Sequence, residues 1–98
     1  MDLYFNKFLH GYPYLCRAVD ISSAGILVET FAEPEFPAER FPLELRLPED
    51  SESIWVWARP VRRQGTQQAL EFVSLSKPAS QKLGRYLEGE RMSGEAPH

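Results

Sequence analysis

The sequence has 98 residues, which is enough for one domain with a single hydrophobic core. Apolar residues make up 43% of the chain and charged residues 26%, a balance that excludes disorder along its whole length. The net charge of −3 argues against general binding to phosphate backbones, so we expect neither DNA nor RNA as a partner.

Strand signals dominate the first quarter of the chain. Leu3–Leu9 is apolar and aromatic, and a turn at His10-Gly11 would pair it with the alternating segment Tyr14–Val19. The hexapeptide Asp20-Ile21-Ser22-Ser23-Ala24-Gly25 predicts a corner between strands, because Asp and Ser bond to nearby backbone and Gly accepts positive φ. The β-branched and apolar run Ile26–Phe31 follows as the next strand.

The middle of the chain contains its clearest period-2 pattern. A connection over Ala32–Arg40 leads into Phe41–Leu47, which places four apolar residues on one face. Because Pro42 has no N–H, we expect this strand to begin at a sheet edge. An exposed edge there would allow dimerisation by strand pairing, although Glu44 and Arg46 would oppose it.

Two further strands are predicted after a turn at Pro48–Ser51. Ile54–Ala58 is a strand, and Pro60 indicates a bulge before the chain continues. Gln64-Gly65-Thr66 predicts a hairpin connection to the returning strand Ala69–Val73.

The periodicity then changes to that of a helix. Ser76 suits the N-cap and Pro78 the first turn, and four apolar residues share one stripe: Ala79, Leu83, Tyr86 and Leu87. Five or six short antiparallel strands followed by one helix predict a mainly β fold, a small antiparallel β-barrel with a C-terminal α-helix. We place this domain at residues 3–88 and expect 89–98 to be a flexible tail.

The order of these elements, with Asp20-x-Ser22-x-x-Gly25 between two strands, resembles a PilZ domain. That resemblance covers about Leu3 to Leu87 and implies a six-stranded barrel that serves as a bacterial receptor for cyclic di-GMP. In the family, an Arg-x-x-x-Arg segment ahead of the barrel grips phosphate and guanine, and the corner meets the guanine and backbone polar groups.

This chain matches one half of that signature. The resemblance carries Asp20, Ser22 and Gly25 over as cyclic di-GMP contacts, but no Arg-x-x-x-Arg precedes them. Lys7 and Arg17 are the cations available ahead of the corner, and a lysine lacks the planar fork with which arginine holds phosphate. Loss of two charge-assisted contacts of ~1.5–3 kcal/mol each would weaken binding by ~10²–10⁴.

Each candidate site also has a structural interpretation. The corner residues suit a turn whatever binds there, with Asp20 accepting from the N–H of Ser22 or Ser23. Three arginines form the local basic cluster, either as a solvated strand end or as a site that restores ligand contacts: Arg59, Arg62 and Arg63. Trp55 and Trp57 share one strand face, which packs in the core if it points inward and marks a partner surface if it points outward. The possible partner surface consists of these two tryptophans and the three arginines.

Residue types that suggest catalysis are poorly placed for it. His10 and Asp20 could join Ser22 in a triad, but no nucleophile elbow surrounds the serine. Cys16, the only cysteine, lies mid-strand and is expected to be buried and inert. Two histidines and one cysteine do not make a standard zinc site, so we expect no enzyme, no metal and no cofactor.

The sequence also predicts where the protein works. It contains no apolar run long enough for a bilayer and no signal-peptide pattern, so we expect a cytoplasmic protein without membrane insertion. Two functions follow from the resemblance. One is a non-enzymatic adaptor that binds signalling or motility proteins and has weak or no affinity for cyclic di-GMP. The alternative is a cyclic di-GMP effector that uses the Asp20–Gly25 corner and nearby arginines.

Overall fold

The computed structural model describes residues 3–31, 39–47 and 53–94. Six antiparallel strands close into a barrel in the order β1-β2-β3-β6-β5-β4, and one helix follows. This confirms the predicted fold class. The strands are β1 (Tyr4–Leu9), β2 (Tyr12–Ile21), β3 (Gly25–Thr30), β4 (Phe41–Leu45), β5 (Ile54–Gln64) and β6 (Gln67–Ser74), and the helix is α1 (Lys77–Gly94). Most of the connection predicted at Ala32–Arg40, and the turn at Pro48–Ser51, lie outside the described residues.

Two tight turns close the hairpins that the sequence predicts. His10 and Gly11 join β1 to β2 with φ values of 52° and 84°, the pair of positive angles found in a type I′ turn. Gly65, with φ of 63°, and Thr66 join β5 to β6. Both turns match the right-handed twist of their strands, so local residues set the register of each hairpin.

The prediction that β4 begins at an open edge is wrong. β4 pairs with β5 along its length and with β1 at Leu43 and Glu44, so the barrel closes through it. Pro42 lies outside the stretch paired with β1, and its missing N–H therefore does not interrupt that ladder. Pairing on both sides at Leu43 and Glu44 leaves the middle of β4 without a free edge.

Bulges bend the long strands around the barrel. The β5–β6 register shifts between Pro60 and Arg62, which confirms the predicted bulge and leaves Val61 unpaired. The β2–β3 register shifts between Ala18 and Asp20, immediately before the corner. An extra residue re-aims the side chains that follow it, so this shift sets which way Asp20 faces.

The core lies inside the barrel and under α1. Inward positions of all six strands are apolar except for a few polar groups, among them Lys7 on β1 and Gln68 on β6. Lys7 is 1% exposed, and its Nζ donates to Gln68 Oε1 at 2.9 Å and lies 5.2 Å from the centre of the Phe41 ring. A long apolar stem and a satisfied amine allow lysine to occupy this position.

The helix packs as its sequence pattern predicts. The Ala79 N–H donates to Ser76 Oγ at 3.2 Å, which confirms the N-cap. Ala79 and Leu83 are buried in the core, with Tyr86 and Leu87 packed against it. The helix continues to Gly94, past the predicted domain end at residue 88. Flexibility of 89–98 stays a prediction.

Within the described part of the chain, the helix lacks the length of apolar sequence needed to cross a bilayer.

Candidate functional site

The β2–β3 corner is built by Ser22. Its Oγ accepts from the N–H groups of Ala24 and Gly25, both at 3.2 Å, and its own N–H donates to the Gly25 carbonyl at 2.9 Å. These bonds satisfy backbone N–H groups at the turn between β2 and β3. Ser22 therefore has a structural role in the turn.

Gly25 is needed for a different reason from the one predicted. It is not among the residues with positive φ, so the expectation of a left-handed glycine here is wrong. Instead, a Cβ at this position would overlap the backbone carbonyl oxygen of Leu70 on β6. Glycine allows β3 to approach β6 closely, as the Ala24 carbonyl shows by accepting from the Phe72 N–H at 2.8 Å.

Asp20 points out of the barrel beside the turn. Its Oδ1 accepts from the N–H of Ile21 at 3.0 Å, rather than from Ser22 or Ser23 as predicted. The residue is exposed. The turn therefore leaves the Asp20 carboxylate available to groups outside the chain.

An open groove of about 340 Å³ runs across the outer wall beside this corner. Paired positions place Asp20, Leu27, Ala69 and Arg62 in one row over β2, β3, β6 and β5. Leu27 and the small Ala69 form its floor, while Asp20 and Arg62 line its two sides. Adjacent strands lie about 4.8 Å apart, so three spacings separate the two charged residues by roughly 14 Å at the backbone.

A second carboxylate lines the same groove. Glu71 pairs with Gly25 in register and accepts from Arg59 Nε at 2.8 Å. That hydrogen bond, together with the guanidinium charge, holds the pKa of Glu71 below its ordinary value and raises the pKa of Arg59. Among the residues lining the groove, one guanidinium thus faces two carboxylates, those of Asp20 and Glu71.

The structure does not bring the other predicted ligand residues to this groove. Lys7 is enclosed in the barrel. Arg17 lies on the outer face of β2, 4.0 Å from the Glu29 carboxylate. Arg63 donates to Thr30 Oγ1 at 3.2 Å, near the opposite end of β3 from the corner.

The triad interpretation has no geometric support. His10 and Ser22 flank the two ends of β2, roughly 30 Å apart at about 3.3 Å per residue. Cys16 is buried, as predicted. No group of three or more metal-ligating side chains occurs among the residues that the structure describes.

The tryptophan face of β5 points outward. Trp55 and Trp57 are 53% and 50% exposed, so the alternative of core packing is wrong for both. The ring of Phe8, on β1, lies against Trp55 with 5.3 Å between centroids, and Pro42 pairs with Trp57 across the β4–β5 ladder. Together Phe8, Pro42, Trp55 and Trp57 form what we call the aromatic wall.

Sequence reasoning missed two residues of these surfaces. Glu71 gave no signal, because its place in the groove depends on β3 pairing with β6, and 36 residues separate the two strands in the sequence. In the sequence Phe8 appeared as one apolar residue in an apolar segment. The structure places Lys7 inside the barrel, and alternation along β1 then makes Phe8 outward-facing. Arg62 was named within a cluster, and the β5 bulge decides that it, rather than Arg63, lines the groove.

The described residues form a closed six-stranded barrel with one helix and an open groove beside the β2–β3 corner. The family model for the PilZ domain matches residues 3–89, so the chain belongs to the PilZ family. No significant match was found among curated proteins or among solved structures. Membership of this family assigns the protein to the general class of cyclic di-GMP-related signalling modules.

Proposed function

We propose that this protein is a bacterial signalling adaptor of the cytoplasm, which binds a protein of the signalling or motility machinery through the outer wall of β5. In this proposal cyclic di-GMP binds weakly or not at all. The domain then serves as a rigid barrel that presents a surface, and no chemical step takes place on it.

The exposure of two tryptophans on one wall carries the proposal. Aromatic side chains of this size normally bury most of their surface, and isolated solvent-facing pairs are enriched where proteins associate. Phe8 and Pro42 extend the apolar area beside Trp55 and Trp57. A wall of four adjacent apolar groups, held by strands that pair on both sides, is preorganised for a partner.

The charges of the groove support weak nucleotide binding. Arg62 is the arginine that lines it, and the charge of Glu71 is balanced by Arg59. The exposed Asp20 carboxylate would repel the phosphates of cyclic di-GMP. A replacement for the family's arginine pair would need two guanidinium forks on phosphate and base. At ~1.5–3 kcal/mol for each missing contact, a micromolar site would become millimolar.

One observation favours the effector alternative. Arg62 and Asp20 border the same groove from opposite sides, and Ser22 and Gly25 complete its corner end. In this arrangement Asp20 would accept from a guanine edge while Arg62 would meet a phosphate across the apolar floor. Arg62 would then replace part of what the missing segment supplies.

Calorimetric titration with cyclic di-GMP at physiological salt separates these two functions. We expect no saturable heat below near-millimolar ligand for the wild-type protein. Binding tighter than ~10 μM that Asp20→Ala and Arg62→Ala both abolish would overturn the adaptor proposal in favour of the effector. Arg17→Ala, on the outer face of β2, is the matched control for loss of an arginine.

A further inference from the structure

We infer that the partner that binds the aromatic wall is an acidic segment with apolar side chains. This segment lies along β5, with its apolar residues on the indoles and its carboxylates on Arg59 and Arg62. This inference rests on the proposed adaptor surface and names the chemistry of its partner. Four outward residues of β5 carry it, and we call them the β5 ridge: Trp55, Trp57, Arg59 and Arg62.

Closure of the barrel determines how a partner can approach the ridge. β5 pairs with β4 over Ile54–Ala58 and with β6 over Trp57–Gln64, so it is paired on both sides at Trp57 and Ala58. The side chains of the ridge are exposed on the outer face along this length, and the proposed segment binds to them. Recognition then depends on the order of side chains along β5, which is apolar at one end and basic at the other.

The apolar end of the ridge has unused binding capacity. Within the described residues, neither the Trp55 nor the Trp57 indole N–H has a hydrogen-bond acceptor, and both rings are half exposed. An indole offers a flat apolar face and one donor at its rim. Apolar side chains would cover the faces, while carbonyl or carboxylate oxygens of the partner would accept from the two N–H groups.

The basic end supplies the charge complementarity. Arg62 forms no ion pair with any residue that the structure describes, and Arg59 is held by Glu71 in an exposed pair. At the other end of the ridge, the Glu44 carboxylate accepts from Asn6 Nδ2 at 3.4 Å and from Ser53 Oγ at 3.0 Å. The cations are thus concentrated at one end, although the whole chain carries −3, and a partner that is acidic at one end fits this order.

The length of the ridge sets the size of the segment. Trp55 and Arg62 are seven positions apart on one strand, which corresponds to roughly 20 Å at about 3.3 Å per residue. An extended peptide of about seven residues spans that distance.

The test uses fluorescein-labelled ten-residue peptides with two leucines near one end and four glutamates near the other. Two comparison peptides replace the glutamates by lysines or the leucines by serines. Fluorescence anisotropy reports binding, and intrinsic emission reports its location, because the chain has two tryptophans and both lie on the ridge. We expect the acidic-apolar peptide to bind best and to weaken as salt is raised.

Matched double variants locate the charge contribution. Arg59→Gln/Arg62→Gln should weaken binding of the acidic-apolar peptide about fivefold to twentyfold at low salt, since each exposed pair contributes modestly. Arg17→Gln/Arg85→Gln removes two arginines elsewhere, one half-buried on β2 and one exposed on α1, and should stay within about twofold of wild type. Equal effects of the two doubles would overturn the inference, because long-range charge rather than the ridge would then explain the binding.

Indole variants separate failure of this inference from failure of the adaptor surface. Trp57→Ser should weaken the acidic-apolar peptide about tenfold or more, while Tyr12→Ser, exposed in β2, should not. If Trp57→Ser weakens all three peptides equally and the glutamate and lysine peptides bind alike, the surface stands and the acidic partner is wrong. If no peptide binds or changes tryptophan emission up to near-millimolar concentration, both the ridge inference and the proposed surface fail.

Discussion

At the residue scale, the Asp-x-Ser-x-x-Gly signature divides into two structural positions and one exposed position. Ser22 closes the turn and Gly25 admits the β6 backbone, and both are needed to build the barrel. Asp20 bonds one neighbouring N–H and faces the groove. The motif can therefore persist in a barrel that has lost its nucleotide, which explains why it identifies the fold better than the ligand.

Gly25→Ala tests the close approach of β3 to β6. The added methyl group would overlap the Leu70 carbonyl oxygen, so the strands must separate and we expect a loss of about 1–3 kcal/mol or more in unfolding free energy. Gly84→Ala, in open space on α1, is the control and should gain about 1 kcal/mol through helix propensity. Urea unfolding measures both, and two changes of the same sign would contradict this account.

Lys7 has a core position in the structure, and its substitutions can be ranked. Lys7→Met keeps the length of the stem and removes a buried charge, so we expect a change in unfolding free energy within about 1.5 kcal/mol. Lys7→Ala leaves a cavity and takes the ammonium away from Gln68, at a cost of about 2–4 kcal/mol. Equal losses for methionine and alanine in chemical denaturation would show that the ammonium, which both variants lack, is required rather than the apolar stem.

At the element scale, local residues were enough to predict the hairpins and the helix cap. They were not enough to predict the pairing of strands that are distant in the sequence. Positive-φ residues at His10-Gly11 and Gly65 determine their turns, and Pro60 marks its bulge. Closure through β4 depends on contact with β1, more than thirty residues away, and a proline within the strand favoured an edge instead. A period-2 pattern in β5 also leaves open which face is buried, since the Ile54 face and the Trp55 face are both apolar.

The α1 cap can be tested on its own. Ser76→Ala removes the acceptor of the Ala79 N–H and should lower unfolding free energy by about 1 kcal/mol, and Ser76→Gly by a few tenths. Ser80→Ala, exposed in the first turns of the same helix, should have little effect or stabilise slightly. Thermal unfolding followed by circular dichroism compares the three; equal losses at 76 and 80 would argue against the cap.

The ion pair between β5 and β6 predicts a pH dependence with a definite sign. The hydrogen bond from Arg59 lowers the pKa of Glu71 in the folded protein, so this contribution is present above the ordinary glutamate value near 4.5 and is lost as pH falls through the lower folded value. Carboxyl NMR titration should show Glu71 titrating below 4.5. Arg59→Gln should move that pKa upward, and an unchanged midpoint would show that the pair does not persist in solution.

At the scale of the whole molecule, the barrel distributes the predicted partner residues over two surfaces, the outer face of β5 and the corner groove. The predicted partner residues Trp55, Trp57 and Arg59 share the outer face of β5, while Arg62 also borders the corner groove and Arg63 bonds Thr30. A partner seated on the β5 ridge would therefore reach one side of that groove. The fold and the corner were readable from local pattern, but this adjacency required the order of the strands.

The most direct test of the adaptor account is a residue-resolved titration of the ¹⁵N-labelled protein with cyclic di-GMP, followed by amide chemical shifts. We predict small, non-saturating shifts at Asp20, Ser22 and Gly25 up to near-millimolar ligand, because one guanidinium, that of Arg62, lines the groove in place of the family's arginine pair. Saturating shifts at those residues with a Kd near 10 μM or below, lost in Arg62→Ala, would contradict the account and establish the groove as a nucleotide site.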